Sequence, residues 1–228
     1  MSRISVIIPT INEANNLPSL LSDLAFIQNE GEIIIVDCGS KDKTIDIANI
    51  YGAKVYMSKE KNRGLQLNIG AKKSVEEWLV FLHADTRLSH DWMIKINSVL
   101  KGDKDYIYYF KFKINNKKFI YRILEIFVNF RSKFFKQPYG DQGLIIHRNT
   151  YFKNSGFREI PLMEDVDFFR RLNNKKDLKQ LNLTILTSSR KWEGTNIFLQ
   201  ALKNWNFRRR WLKGESAKSI YHDYYKNN

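Results

Sequence analysis

Glu32-Ile33-Ile34-Ile35-Val36-Asp37-Cys38-Gly39-Ser40 is an almost unbroken apolar run that ends on a carboxylate and a turn. Runs of this kind belong to strands covered on both faces, as in a parallel sheet between two helix layers. Upstream, Ile4-Ser5-Val6-Ile7-Ile8 is a second strand pattern, stopped by Pro9, and residues 12–16 turn into a helix reaching about Phe26. Downstream, 42–51 reads as a helix with Ile45, Ala48 and Ile50 inward, and 53–57 as a short strand. Residues 64–74 form a further helix pattern, followed by the strand Trp78-Leu79-Val80-Phe81-Leu82. The order βαβαβαβ predicts an α/β fold, a Rossmann-like, mostly parallel central sheet with helices on both faces.

After Leu100 the pattern changes, and the second half is read as an embellishment of the same domain. Residues 106–114 alternate and are expected as an antiparallel strand, with a polar turn at 115–118. Residues 119–135 read as a helix with Arg122, Glu125 and Asn129 on one polar stripe and a wide apolar face, which is core, dimer contact or membrane face. Strands are expected at 143–147 and 183–187, and helices from 165 to 172 and from 195 to 213. The last of these is basic, with Arg208-Arg209-Arg210 near its end, and 214–228 is expected as a flexible tail. Without repeats or linkers, 1–228 reads as a single domain.

At 228 residues, with 43% hydrophobic and 27% charged side chains, the chain has the composition of a soluble globular domain. The single cysteine, Cys38, excludes an internal disulfide framework and fits a reducing compartment. Residues 1–100 carry 11 Lys/Arg and 12 Asp/Glu, whereas 101–228 carry 27 and 12. That asymmetry points the second half at an anionic partner, unless it only reflects a lysine-rich composition. The N-terminus runs straight into a strand pattern, so no secretory leader is expected. No run approaches the roughly 18 apolar residues of a spanning helix.

Several side chains stand where chemistry is expected. Asp37 ends a buried strand, the position from which an open α/β sheet meets a ribose or a base edge. Ser40 and Asp42 can cap the helix that follows. The loop Pro9-Thr10-Ile11-Asn12-Glu13 can touch a nucleotide but has no glycine cradle. With no Gly-x-Gly-x-x-Gly and no Gly-Lys-Ser/Thr, a dinucleotide fold and a P-loop NTPase both lose support. Arg63, just before a helix, can join backbone donors in holding phosphate. Asn68 and Gly70 either line that site or allow close packing. In His83-Ala84-Asp85 the lone carboxylate can ligate Mg²⁺ or Mn²⁺ when phosphates and water complete the shell. His83, two residues away in an extended segment, can point to the same side and reads as a hydrogen-bonding neighbour of Asp85 or, for Mn²⁺, as a further ligand, and Cys38 reads as core. Glu164-Asp165, with Gly140-Asp141-Gln142-Gly143 before it, offers a second acidic site suited to removing a proton.

Taken in order, Ile8–Glu13, Val36–Thr44, Arg63–Ala71, Phe81–Thr86 and Met163–Asp165 resemble glycosyltransferase family 2, inverting enzymes of GT-A fold. The nearest likeness is to a short soluble subgroup carrying His-Ala-Asp-Thr and Gly-Asp-Gln-Gly. The resemblance implies a nucleotide-binding half at 1–100 and an acceptor-binding half at 101–213. It implies that Pro9, Thr10, Glu13, Asp37, Arg63, Asn68, His83, Ala84 and Asp85 hold a nucleotide-sugar donor, UDP-linked in most of the family. Asp85 is then the metal ligand for Mn²⁺ or Mg²⁺, Asp165 the base and Glu164 its helper. Gly140, Asp141, Gln142, Arg190 and Trp192 would shape the sugar and acceptor pocket. Ser189-Arg190-Lys191-Trp192 departs from the Gln-x-x-Arg-Trp of processive members, so polymer synthesis is not expected.

The acceptor class implied is lipid-linked or saccharide. A cytoplasmic protein, peripheral on the inner face of the cell membrane and capable of oligomerising, fits the charge. Two other readings compete. A nucleotidylyltransferase would show a Gly-rich basic loop after the first strand, which is missing here. A nonenzymatic basic module could be held by nucleic acid or anionic membrane, but no RNP, KH or zinc pattern supports nucleic acid.

Overall fold

The computed structural model describes residues 3–172, 177–189 and 197–226. The first half follows the predicted alternation: β1 (Ile4–Thr10), α1 (Leu17–Asp23), β2 (Gly31–Asp37), α2 (Thr44–Ile50), β3 (Lys54–Met57), α3 (Arg63–Lys73) and β4 (Trp78–Phe81). A two-residue strand β5 (Thr86–Arg87) and helix α4 (Trp92–Leu100) come next, neither of them expected. The second half holds β6 (Ile107–Ile114), α5 (Phe119–Phe134), β7 (Leu144–His147), α6 (Arg148–Lys153), α7 (Glu164–Arg171), β8 (Leu178–Thr187), α8 (Ile197–Leu212) and α9 (Ala217–Lys226). All eight strands join one sheet in the order β3-β2-β1-β4-β7-β6-β8-β5.

The β3-β2-β1-β4 half is parallel, β7 is antiparallel to both of its neighbours, and β6 runs parallel to β8. The all-apolar strands are explained by cover on both sides. Ile4, Val6 and Ile8 of β1, with Ile33 and Ile35 of β2, pack under α1 and α4. Ile7, Ile34 and Val36 face the other way, onto Leu67 and Ala71 of α3 and Phe168 of α7.

Four expectations are corrected. Pro9 does not stop β1, which continues to Thr10, because the side of β1 that lacks its N–H faces β4 beyond Phe81, where β4 has ended. Ile50 is 80% exposed, and Thr44 and Ala48 form the buried side of α2 instead. Residues 217–226 of the supposed tail are helical, with Ile220 fully buried. The strand expected at 106–114 is antiparallel to β7 over only two residues, Ile107 and Tyr108, and parallel to β8 along most of its length.

The polar stripe of α5 turns inward. Beyond Tyr108, β6 has no strand on its β7 side among the described residues. Side chains take that place. The Gln142 amide donates to Phe110 O at 3.3 Å. Asn129 both accepts from Phe112 N–H and donates to Phe112 O, each at 2.8 Å. Glu125 accepts from Ile114 N–H at 2.7 Å, and Arg122 donates to Ile114 O at 3.0 Å. Buried backbone groups need partners, and this need sets the rotation of α5.

One buried carboxylate in the sheet gives a pH-dependent expectation. Glu32 accepts from Ser5 Oγ at 2.6 Å, Lys54 Nζ at 2.7 Å and Val75 N–H at 2.8 Å. Burial pushes its pKa up, but these donors outweigh burial and hold the carboxyl below its usual range. A lowered folded-state pKa contributes stability above the unfolded value, about 4.3, and loses it as pH falls through the folded value. Glu32→Gln should therefore destabilise the protein at neutral pH by about 1–3 kcal/mol. The gap should close in acid, as urea melts of both proteins at neutral and acid pH would show.

Candidate active site

The carboxyl ends of β1, β2 and β4 open into a cavity of about 570 Å³. Pro9, Thr10 and Glu13 line one wall, and His83, Ala84 and Asp85, just past β4, line another. Arg63 and Gln66 come from α3, Lys61 from the turn before it, and Tyr221 from α9. Thus seven of the nine residues expected at a donor site meet at one cavity.

Local bonding explains its shape. Asp37, fully buried, accepts from Thr10 Oγ1 at 2.8 Å, Ser40 N–H at 2.7 Å and Ser40 Oγ at 2.5 Å. It fastens the loops after β1 and β2 and does not line the cavity. The loop after β1 is further fixed by Asn12, left-handed at φ 53°, which accepts from Lys41 N–H at 2.8 Å. Asp42 accepts from Ala14 N–H at 3.1 Å and Thr44 N–H at 3.0 Å, tethering the loop after β1 and closing a turn before α2, whose N-cap position is Lys43. Gln66 donates to both Thr10 O, at 3.0 Å, and Val36 O, at 2.8 Å, holding two strand ends under the floor.

Asn68 also departs from the donor wall. Its amide donates to Phe157 O at 2.8 Å and its oxygen accepts from Tyr151 OH at 2.6 Å. Gly70 packs on Ile7, where a Cβ would stand 2.3 Å from Ile7 Cγ2, so close packing is its use.

Arg63 starts α3, whose N-cap Asn62 accepts from Leu65 N–H at 3.0 Å. Its Nε is bonded to Glu164, which is 1% exposed. Burial pushes the Glu164 carboxyl above the usual range against the pull of Arg63. Gly64 lets the start of α3 pack directly on the backbone before α7, since a Cβ there would sit 2.0 Å from Arg158 O. Glu164 lines neither this cavity nor the one that adjoins it and steadies Arg63 instead.

A second cavity, about 160 Å³, adjoins the first, and Arg63 and His83 line both. Its wall includes Gly140, Asp141 and Asp165, together with Tyr139, Met163, Phe207, Arg208 and Tyr224. Asp165 is the second residue of α7, and the N-cap position is held by Met163 in a left-handed conformation, φ 69°. One Asp165 oxygen accepts from Gly140 N–H and the other from Val166 N–H, both at 2.7 Å. These two bonds fix the orientation of the carboxylate at the first turn of α7. Gln142, fully buried, accepts from Ser132 Oγ at 2.5 Å and pins the turn behind the pocket. Arg190 and Trp192 lie outside the described residues.

Tyr139 is flanked by two guanidinium groups. Arg131 stacks on its ring at 3.4 Å, and Arg208 donates to its hydroxyl at 2.9 Å. Burial lowers the Arg131 pKa, while Tyr139 and Asp141 pull it back up. Phe207, Arg208, Tyr221 and Tyr224 were missed as wall residues. Only the folding of α8 and α9 back over the sheet brings them here, and no local motif announces it.

No group of three or more His, Cys, Asp or Glu side chains able to hold a metal occurs among the described residues. Asp85 alone, at the cavity edge, suits a hard dication whose other ligands are phosphate oxygens and water.

The arrangement is that of an open α/β sheet with a cavity at the strand ends, the place where such sheets bind ligands. The model of Glycosyl transferase family 2 matches residues 5–165, and the chain belongs to that family. It is 38% identical over 95 residues to 4,4'-diaponeurosporenoate glycosyltransferase of Staphylococcus haemolyticus, covering 39% of this chain and 25% of that one. It is 37% identical over 91 residues to a PGL/p-HBAD biosynthesis glycosyltransferase of Mycobacterium bovis, covering 37% and 36%. The matches thus span about a quarter to a third of those relatives' length. Among solved structures, S. aureus TarS in complex with UDP-GlcNAc superposes with a TM-score of 0.65 at 19% identity, covering 82% of this chain and 58% of that one. Glucosyl-3-phosphoglycerate synthase of M. tuberculosis with Mn²⁺, UDP and its product gives 0.58 at 18%, covering 80% and 70%. At these identities the structures speak for the fold. Among the described residues no helix is long and apolar enough to cross a membrane.

Proposed function

We propose that the protein transfers a sugar, with inversion and with help from Mn²⁺ or Mg²⁺, from a UDP-linked donor to an acceptor hydroxyl. The observation that carries this reading is the pair of adjoining cavities joined by Arg63 and His83, with Asp85 on one and Asp165 on the other. The loop from Pro9 to Glu13 receives the nucleoside. Arg63 turns its charge to the diphosphate while Glu164 keeps it in position. Asp85 holds the ion, and a divalent ion beside UDP has a precedent in the structural neighbour solved with Mn²⁺ and UDP. When bound, the ion offsets charge developing on the leaving diphosphate.

The acceptor enters the second cavity. Its hydroxyl oxygen forms a bond to the anomeric carbon as the bond to the diphosphate oxygen breaks. The proton passes to Asp165, and the nucleoside diphosphate leaves. Attack from the face opposite the leaving group inverts the anomeric centre. Gly140 and Asp141 shape the sugar's surroundings, and His83 bonds at the junction. The acceptor is lipid-linked or a saccharide, and the protein works in the cytoplasm, peripheral on the inner face of the membrane.

Calorimetry of the purified chain with UDP, with and without Mn²⁺, tests the donor site directly. Binding strengthened by Mn²⁺ is expected. No UDP binding under either condition would overturn the reading.

A further inference from the structure

We infer that the outer face of α5, with the neighbouring exposed face of α8, is a docking surface for an anionic lipid bilayer. The inference rests on the reading above only in the role it gives the acceptor side, and the surface itself stands on independent observations.

The rotation of α5 carries it first. Because Arg122, Glu125 and Asn129 serve the edge of β6, the apolar stripe has to point away from the protein. Phe119, Ile126, Phe127, Phe130, Phe134 and Phe135 are each between 52% and 76% exposed. Phe130 and Phe134 stack on one another at 4.4 Å. The start of α8 packs beside this helix, since Ile197 joins Leu124 and Val128 over the small core around Phe112 and Ile114. Along α8, Leu199, Leu202 and Trp205 are also more than half exposed, at 55% to 59%.

Charge decides the occupant. The two helices together carry seven Lys/Arg and one acid, Glu125. That one acid is buried and paired with Arg122 at 2.9 Å. Lys117, Lys118 and Lys133 around α5, and Lys203, Arg209 and Lys213 on and after α8, are exposed. A second copy would bring cation against cation, so self-association through this face is opposed. An anionic lipid surface complements both properties, taking aromatic side chains at the acyl boundary and cations at the headgroups. The same helix ends near the acceptor side, where Arg131 of α5 stacks on Tyr139 of the second cavity. A docked α5 therefore holds that cavity close to the membrane, where a lipid-linked acceptor would reside.

The test is flotation of the full chain with vesicles of phosphatidylcholine and phosphatidylglycerol in equal parts, against phosphatidylcholine alone, at low and high salt. The parent should float with the anionic vesicles at low salt and much less with the neutral ones. Phe127→Ser with Phe130→Ser, both on the outer face, should reduce partitioning about tenfold, since apolar burial drives insertion. Lys118→Glu with Lys133→Glu should weaken binding to the anionic vesicles specifically. Melting temperature and UDP calorimetry on the same samples report folding and the donor site separately. Loss of flotation with intact melting and UDP binding supports the inference. A parent that stays with the soluble fraction at low salt, or a double serine variant that floats like the parent, overturns it and leaves the donor site standing. A dimer in light scattering that the serine variant dissociates also overturns it, in favour of self-association.

Discussion

Asp165→Asn is expected to lower turnover by about 10²–10⁴-fold, the usual cost of losing a general base. Donor affinity should stay near the parent value, because Asp165 lines the second cavity and not the first. The substitution keeps shape but leaves one oxygen where there were two. Either the bond from Gly140 N–H or that from Val166 N–H is lost, for about 1 kcal/mol of stability. Such a loss is too small to account for a thousandfold fall in rate. The measurement is single-turnover transfer to a working acceptor, paired with UDP calorimetry and a thermal melt. An Asn variant that transfers sugar at the parent rate would show that Asp165 serves only the first turn of α7.

The second large effect is expected at Asp85. Asp85→Asn retains an oxygen but loses the charge that favours a dication. A metal supplies several kcal/mol to phosphate-leaving chemistry, and each factor of ten is worth about 1.4 kcal/mol. Turnover should therefore fall on the order of 10³-fold. The binding readout separates this from misfolding. UDP affinity without metal should be nearly unchanged, while its enhancement by Mn²⁺ should disappear. Enhancement equal to the parent's would remove Asp85 from the metal site.

The first half of the fold was legible because its strands are near-continuous apolar runs, the mark of cover on both faces, and each ends in a turn. The tips of β1 and β4 followed directly, and with them Pro9, Thr10, Glu13 and His83 to Asp85. Polar side chains were harder to assign. Asn68 and Gln142 line neither cavity and bond Tyr151, Phe157, Ser132 and Phe110 instead. Those partners lie in distant segments, and a local pattern cannot say which side of a helix or turn will meet them. Asp37 was expected to face ligand, yet all its contacts above hold two loops together. The segment 119–135 was the instructive ambiguity. Its amphipathic pattern was plain in the sequence, but which face turns inward depended on the unpaired edge of β6, and that edge exists only once the sheet is assembled.

That edge has a consequence for how the molecule breathes. The amides of Phe112 and Ile114 are sealed by Asn129 and Glu125, side chains of a helix, and not by a neighbouring strand. Their hydrogen-exchange rates are therefore set by how often α5 lifts from the sheet, a local opening separate from global unfolding. Two backbone protons in the middle of the sheet thus act as a clock for one surface helix. Any partner that holds α5 down will slow that clock while the amides paired across β1 and β2 keep their own time.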